Sequence, residues 1–496
     1  MEYFLGIDIG TSGCKAVVFD KNGEQISLAY REYDIISVNP GWAELDTDEV
    51  IIRCFEVIRE SASAVSGNIK AIGISSQGEA FTMIDREGNA LCNAFVSSDT
   101  RADTYVKTWS EDFGNTKLYS ITGHTPHPMF TLFKLLWVKD NLPDLWKKCY
   151  KILCFEDLLQ YRLGIKDTAM GWPMAGRTML FDVVRHCWSE EILEKAGINA
   201  GQLSRPLCSG SIAGYVDNKI AKQLNLGDYV LVATGGHDQT CSALGAGAVE
   251  PGRAVYAIGT VECITAAFDK PVFNEQLRKN NYCTYDHTAK GLYATLAYSL
   301  TGGNLLKWFR DEFGQHEIDK AKELKIDPYT LLLDQMPDQP TNLLVLPYFT
   351  PSGTPYFDTS VKGAILGVDL STKKGEILKG LLEGVAYEIK LNLELLEKAG
   401  YEINELRAIG GGAKSETLIQ LKANILNKPI INLDVTEAGC RGAAILAKAA
   451  YVDQNASDIA AGWVKTIKKI EPGSYDIYST KFLKYKKLYS NLKKYI

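Results

Sequence analysis

Ile9-Gly-Thr-Ser-Gly-Cys-Lys-Ala-Val-Val-Phe-Asp20, near the N-terminus, returns about half a chain later as Ile258-Gly-Thr-Val-Glu-Cys-Ile-Thr-Ala-Ala-Phe-Asp269. Ile, Gly, Thr, Cys, Phe and Asp match without a gap. Each copy is an apolar run, a Gly-Thr turn and a second apolar run ending in Phe-Asp, the pattern of a β-hairpin. A turn of small residues offers backbone N–H groups and hydroxyls with no bulk in the way, which suits a polyphosphate. Two such hairpins, one per half, predict two related lobes that clasp a nucleotide from both sides.

At 496 residues the chain exceeds a single core, and two or three domains are expected. A hydrophobic content of 46% fits an ordinary soluble globular protein. The first predicted strand, Tyr3 to Ile9, carries acidic Asp8 and stops at Gly10, too short and too polar for a signal or membrane segment. The eleven cysteines are odd in number and include no Cys-x-x-Cys pair. They predict reduced thiols in a cytoplasm, and argue against a disulfide framework or a zinc site. A net charge of −6 argues against a nucleic-acid surface. The C-terminal lysines Lys481, Lys484, Lys486, Lys487, Lys493 and Lys494 read as the solvated face of a terminal helix rather than a membrane contact.

Strands and helices alternate along the chain. Glu24 to Ile36 reads as a third strand and turn. Asp46, Asp48 and Glu49 open a helix through Ala64, placed to complement the helix dipole. Ile69 to Ser75 reads as a buried strand entering Ser76-Gln77-Gly78-Glu79, and Tyr229 to Ala233 as another entering Gly235-Gly236-His237-Asp238. Beyond Gly252 the scheme restarts. Glu376 to Ala399 has the period of a long amphipathic helix with Gly400 as its cap, and Leu406 to Ile409 is a strand ending in Gly410-Gly411-Gly412. With no linker to mark a boundary, the chain divides near 246/247 into lobes packed around a cleft.

Several residues fit phosphoryl chemistry. Asp8, in an otherwise apolar strand before the turn, can hold magnesium against nucleotide phosphates, with Thr11, Ser12 and Lys15 beside it. Asp238 follows two glycines at a strand-to-helix junction, where a tight turn exposes a side chain. A carboxylate there can take the proton of a hydroxyl as its oxygen attacks phosphorus. The same Asp could instead cap the following helix, and the residues alone leave both roles open. His237 reads as a packing or hydrogen-bonding residue. Gln77, Glu79, Asp99 and Arg101 follow strand ends and mix donors with acceptors, as a polyhydroxylated small molecule requires. The glycine run at 410–412 lacks the dinucleotide-binding spacing, which sets a dehydrogenase aside.

Taken in order, these segments resemble the FGGY family of carbohydrate kinases, within the sugar kinase, actin and Hsp70 superfamily. The resemblance runs along nearly the whole chain. It rests on Gly6-Ile-Asp-Ile-Gly-Thr-Ser12, Pro40-Gly-Trp-Ala-Glu-Leu-Asp46, Gly235-Gly-His-Asp238 and Ile258-Gly-Thr260. It continues through Thr301-Gly-Gly-Asn304, Gly363-Ala-Ile-Leu-Gly367, Gly410-Gly-Gly-Ala413 and Gly442-Ala-Ala444. It implies an α/β fold of two duplicated ribonuclease H-like lobes, as in actin-like ATPases, around a nucleotide cleft. Residues 1–246 would carry the sugar site and base, and 247–496 the adenine nucleotide.

By this resemblance Asp238 is the general base and, with Asp8, holds Mg2+. Thr11, Ser12, Lys15, Gly259, Thr260, Gly303, Lys307, Gly411, Gly412 and Ala413 contact ATP. Gln77, Gly78, Glu79, Asp99, Arg101, Asp238 and Gln239 lie toward the sugar. A helix N-terminus at Asp238 would keep its carboxylate ionised.

The layout is nearest the xylulose-kinase type, but the pocket departs from it. Xylulose kinases usually show Met-His, and glycerol kinases Arg-Glu, where this chain has Gly78-Glu79. His237 stands in place of a more usual glycine, and Glu262 in place of a small residue. The expected activity is a cytoplasmic transfer of the γ-phosphate of ATP to a hydroxyl of a small sugar, with a polyol kinase as the alternative. A homodimer is left open. A non-catalytic sugar sensor would have lost Asp8, Asp238 or the phosphate turns, and an ATPase of the superfamily would often lack the Asp99/Arg101 pair; all are present.

Overall fold

The computed structural model describes residues 2–66, 68–473 and 476–495. In the first half, β1 (Tyr3–Ile9), β2 (Gly13–Asp20), β3 (Gln25–Glu32), β4 (Ile69–Ser76), β5 (Ile212–Tyr215) and β6 (Leu231–His237) form one sheet in the order β5-β6-β4-β1-β2-β3. In the second, β7 (Arg253–Ile258), β8 (Glu262–Phe268), β9 (Tyr285–Asp286), β10 (Tyr293–Ser299), β11 (Glu405–Ile409), β12 (Ile430–Leu433) and β13 (Thr466–Ile470) form another, in the order β9-β10-β8-β7-β11-β12-β13.

The duplication seen in sequence extends to whole sheets. Read from β3 to β5, neighbours pair antiparallel, antiparallel, parallel, parallel, antiparallel. Read from β10 to β13, the same succession appears. Both sheets carry helices, because parallel strands need crossovers that cover their faces. Helix α1 (Thr47–Ser63) buries Val50, Val57 and Ile58 against Ile7, Ile9 and Ile72 of the first sheet. Asp46 accepts the Asp48 and Glu49 N–H groups at its start, so the predicted acidic opening is a true N-cap.

Four further helices set the cleft. They are α2 (Trp172–Arg177), α3 (Asp238–Gly245), α4 (Gly303–Phe313) and α5 (Lys374–Lys398), followed by α6 (Glu416–Leu426) and α7 (Ala438–Val452). The predicted helix 376–399 is α5, with Ala399 as its cap and Gly400 beyond it at a φ of 100°. Tyr256, Ile264, Ile389 and Ile419 build the second core between β7, β8, α5 and α6. Helix α7 lies between β12 and β13 of the second sheet in sequence but packs on β1, β4 and α3 of the first half. It meets α3 so closely that a Cβ at Gly442 would lie 1.9 Å from the Cys241 carbonyl oxygen. The strand read as Tyr229 to Ala233 instead runs from Leu231 to His237, because Gly235 and Gly236 remain in the sheet beside β4. All eleven cysteines are free. Among the described residues no helix is long and apolar enough to cross a membrane.

Candidate active site

Asp8 lies on β1 one residue before its end, opposite Lys15 on β2. Its Oδ1 accepts from Ser75 Oγ at 2.7 Å, a partner that β4 supplies in register. Burial pushes its carboxyl up, against the pull of Ser75 and Lys15. Lys15 Nζ is itself held at 2.7 Å by Glu437, which precedes α7.

The first turn is braced from the same sheet. Gln77 Nε2 donates to the Gly10 carbonyl at 3.0 Å, its Oε1 accepts from Thr11 Oγ1 at 3.2 Å, and Tyr33 OH donates to Gly10 O at 2.6 Å. Gln77 thus supports the turn through both ends of its amide. Thr11 and Ser12 stand at the turn's partly open tip.

Asp238 is the first residue of α3, and His237 occupies the N-cap position without a side-chain capping bond. The capping role therefore falls away for Asp238. Its side chain retains 29% of its exposure, and Oδ1 has no hydrogen-bond partner in the protein. His237 Nε2 approaches that oxygen to 3.1 Å without hydrogen-bond alignment.

Burial, then the charges of Asp8 and Glu79, push the Asp238 carboxyl up to about 8, against the Gln239 N–H and Arg177. Within the protein alone, burial and these acids oppose the ionised form that the helix terminus favours. A helix N-terminus contributes roughly 0.3–1 kcal/mol, too little against desolvation and two neighbouring acids. Two neighbouring carboxylates, Asp8 and Asp238, suit a hard divalent cation such as magnesium, which keeps water and phosphate oxygens among its ligands. Among the described residues no cluster of three or more His, Cys, Asp or Glu is found.

The second lobe contributes a cavity of about 930 Å3. Gly259, Thr260, Gly303, Lys307, Gly411 and Gly412, all predicted nucleotide contacts, line it. A Cβ at Gly303 would lie 2.7 Å from the Gly259 carbonyl oxygen, and one at Gly412 2.3 Å from Ile258 Cγ2, so both segments press against the second turn. A Cβ at Gly411 would meet nothing within 4 Å, leaving that backbone open to the cavity. The short 3-10 turn at Gly411–Lys414 carries the Ala413 side chain into the core beside Ile258 and Ile419. Glu262, singled out as unusual, reaches this cavity too. Buried Lys422 binds its two oxygens at 2.7 and 2.8 Å, and Tyr256 OH joins the pair.

On the sugar side, Asp99 and Arg101 have their polar atoms engaged within the protein. Asp99 is fully buried, accepting from Ala43 N at 2.7 Å and from Arg101. Arg101 lies 3.8 Å over the Trp42 ring and pairs with Glu44. The pair locks the 40–46 segment to the lobe, because a buried guanidinium needs its full set of acceptors.

Glu79, at a φ of 61°, is likewise engaged, with Arg177 on one oxygen and Ser97 Oγ at 2.7 Å on the other. Gly78 lies against His237 and Arg177, and the Gln239 N–H bonds Asp238. Arg177 and Tyr285 lie near the base, and Glu156 holds the strand that leads to it; all three escaped the sequence reading. Glu156 accepts the N–H groups of Gly171 and Gly235 at 3.1 and 2.8 Å. Their partners lie far off in sequence; no spacing announces them.

Residues 3–245 match the N-terminal domain of the FGGY family of carbohydrate kinases, and residues 254–451 its C-terminal domain. A xylulose kinase of Bacillus subtilis is 28% identical over 505 residues, covering 99% of this chain and 98% of that protein. A glycerol kinase of Thermococcus gammatolerans is 31% identical over 487 residues, covering 95% and 94%. The crystal structure of a kinase from Brucella ovis, described as a xyloylose kinase, superposes with a TM-score of 0.89 at 28% identity, covering 99% of both chains. With both family domains matched in order on two duplicated lobes, the chain belongs to the FGGY family of carbohydrate kinases and is an ATP-dependent phosphotransferase acting on a sugar or polyol hydroxyl.

Proposed function

We propose that this kinase phosphorylates a hydroxyl of a small, xylulose-like ketose, with Asp238 as the general base. The observation that carries the reading is Asp238 at the head of α3, with a side chain that keeps 29% of its exposure and a buried Oδ1 that no hydrogen bond within the protein satisfies. In this reading residues 1–246 hold the sugar and the base, and 247–496 hold ATP. ATP lies in the second-lobe cavity, its phosphates reaching across to Thr11, Ser12 and Lys15. Asp8 and Asp238 would hold Mg2+, which when bound neutralises phosphate charge. Asp238 takes the proton of the substrate hydroxyl as the oxygen attacks the γ-phosphorus. The Glu79–Arg177 pair stands beside the base and orders the wall of the sugar site. Closure of the lobes excludes water and limits ATP hydrolysis.

The 31% identity to a glycerol kinase supports a second reading, a small polyol as acceptor. ADP release with Mg-ATP across ketopentoses, deoxyketoses, polyols and sugar acids separates the two. Strong stimulation by a ketose, abolished in Asp238→Asn with the apparent ATP affinity retained, is the expected result. Stimulation by polyols alone overturns the ketose assignment. Normal turnover in Asp238→Asn overturns the base.

A further inference from the structure

Gly78 and His237 occupy one another's space. A Cβ built on Gly78 would sit 2.9 Å from His237 Cδ2 and 3.0 Å from Nε2, closer than such atoms approach, and 3.3 Å from Arg177 Nε. The imidazole cannot drift from this place freely. Its Nδ1 lies 2.9 Å from the hydroxyl of Tyr285, a fully buried residue of β9 in the second lobe. With Nδ1 engaged there, Nε2 is the ring nitrogen left on the side of Asp238, 3.1 Å from the unpartnered Oδ1.

We infer that His237 is a specificity-determining residue of the sugar site, filling the volume that a side chain at position 78 would otherwise fill and presenting Nε2 to the substrate beside the base. The inference rests on the kinase reading above. Glu79, Asp99 and Arg101 have their polar atoms engaged within the protein, which leaves the His237 ring edge, its Nε2 beside the base, as the polar group we assign to the oxygen next to the reacting hydroxyl. A site built to hydrogen-bond a substrate oxygen discriminates strongly against analogues that lack it, because its own polar group is then left unpaired. Tyr285 brings the second lobe into this recognition, since it fixes the ring from across the cleft.

A double-mutant cycle tests the exchange. Gly78→Ala, His237→Gly and the double variant are assayed beside the native kinase, for the KM of the best acceptor, the KM of ATP and the thermal midpoint. Gly78→Ala should push the imidazole aside and raise the acceptor KM about tenfold or more, leaving the ATP KM within about twofold. In the His237→Gly background the same alanine should cost almost nothing. His237→Gly alone should flatten discrimination between acceptors that differ at the carbon next to the reacting hydroxyl by about tenfold. Tyr285→Phe, which keeps the ring and loses the hydroxyl, should raise the acceptor KM several-fold.

Equal cost of the alanine in both backgrounds overturns the inference. So does coupling that appears in the thermal midpoint but not in the acceptor KM, since His237 would then only pack. A native protein stimulated by no sugar or polyol overturns the kinase reading itself, and this inference with it.

Discussion

In the first hairpin Ile9 pairs with Cys14 and the turn runs from Gly10 to Gly13; in the second Ile258 pairs with Glu262 and the turn runs only from Gly259 to Val261. The sequences align without a gap, but the strands do not. A register difference of one residue sends alternate side chains to the opposite face. Asp8 faces Lys15 across the first hairpin, and their counterparts across the second are Ala257 and Cys263. In the proposed function the first turn would bring fixed charges to the reacting phosphate, and the second would offer backbone and small residues to the nucleotide. Glu262 pairs with Lys422 of α6 at the cavity wall. The two copies of one motif thus differ by a single residue of register.

The largest break in this comparison should come at Asp8. Asp8→Asn should lower kcat roughly 10²–10³-fold, as loss of a preorganised charge at the reacting phosphate does. A change at its counterpart, Ala257→Ser, should cost less than about threefold. Equal losses at both positions would mean that the two turns share their roles.

The second turn's own charge should show in stability. Glu262→Ala leaves the Lys422 ammonium buried without its partner, which typically costs about 3–5 kcal/mol. Replacing both by Leu and Met should recover most of it, because a buried pair and a packed apolar pair are nearly equivalent. Urea midpoints read both; a double variant no better than the single would show that the pair contributes more than mutual neutralisation.

A smaller effect sharpens the nucleotide side. Gly303→Ala forces a Cβ against the Gly259 carbonyl and should raise the ATP KM about tenfold, with the acceptor KM unchanged. An unchanged ATP KM would remove the second turn from nucleotide binding.

The smallest effect separates the two sheets. Strand β6 shifts register between Ala233 and Gly236, and Glu156 takes the freed Gly235 N–H, whereas β12 runs evenly beside β11. Burial, with Asp157 beside it, pushes the Glu156 carboxyl up to about 8. Its folded value lies above the unfolded one, so the native state binds the extra proton between them. This contribution is full below about pH 4.3 and is lost as pH rises through about 8. Glu156→Gln, which keeps an acceptor but cannot ionise, should flatten the fall in urea midpoint across that window. An identical slope in both proteins would show that Glu156 does not titrate there.

Much of this was legible in the chain. The hairpins, the Asp46 cap, the long helix ending before Gly400 and the strand-to-helix corner at Asp238 all depend on near neighbours, and local periodicity reports them. The site was legible only in outline. Asp99 and Arg101 have a composition that suits a sugar pocket, yet they close on each other, because burial and not composition decides whether a polar group is available. Arg177 meets Glu79 from 98 residues away, Glu156 meets Gly235 from 79, and Lys422 meets Glu262 from 160.

The sequence by itself determined the duplication, the two-lobed α/β architecture, and the residue types able to handle a phosphate and a hydroxyl. These follow from hydrophobic period and turn chemistry, which act over a few residues. Tertiary structure alone decided the register of the second hairpin, the partners that withdraw Glu79, Asp99 and Arg101 from solvent, and the meeting of His237 with Gly78 and Tyr285. Such choices arise when distant segments compete for one volume and one set of hydrogen bonds, a contest settled only once the lobes have packed.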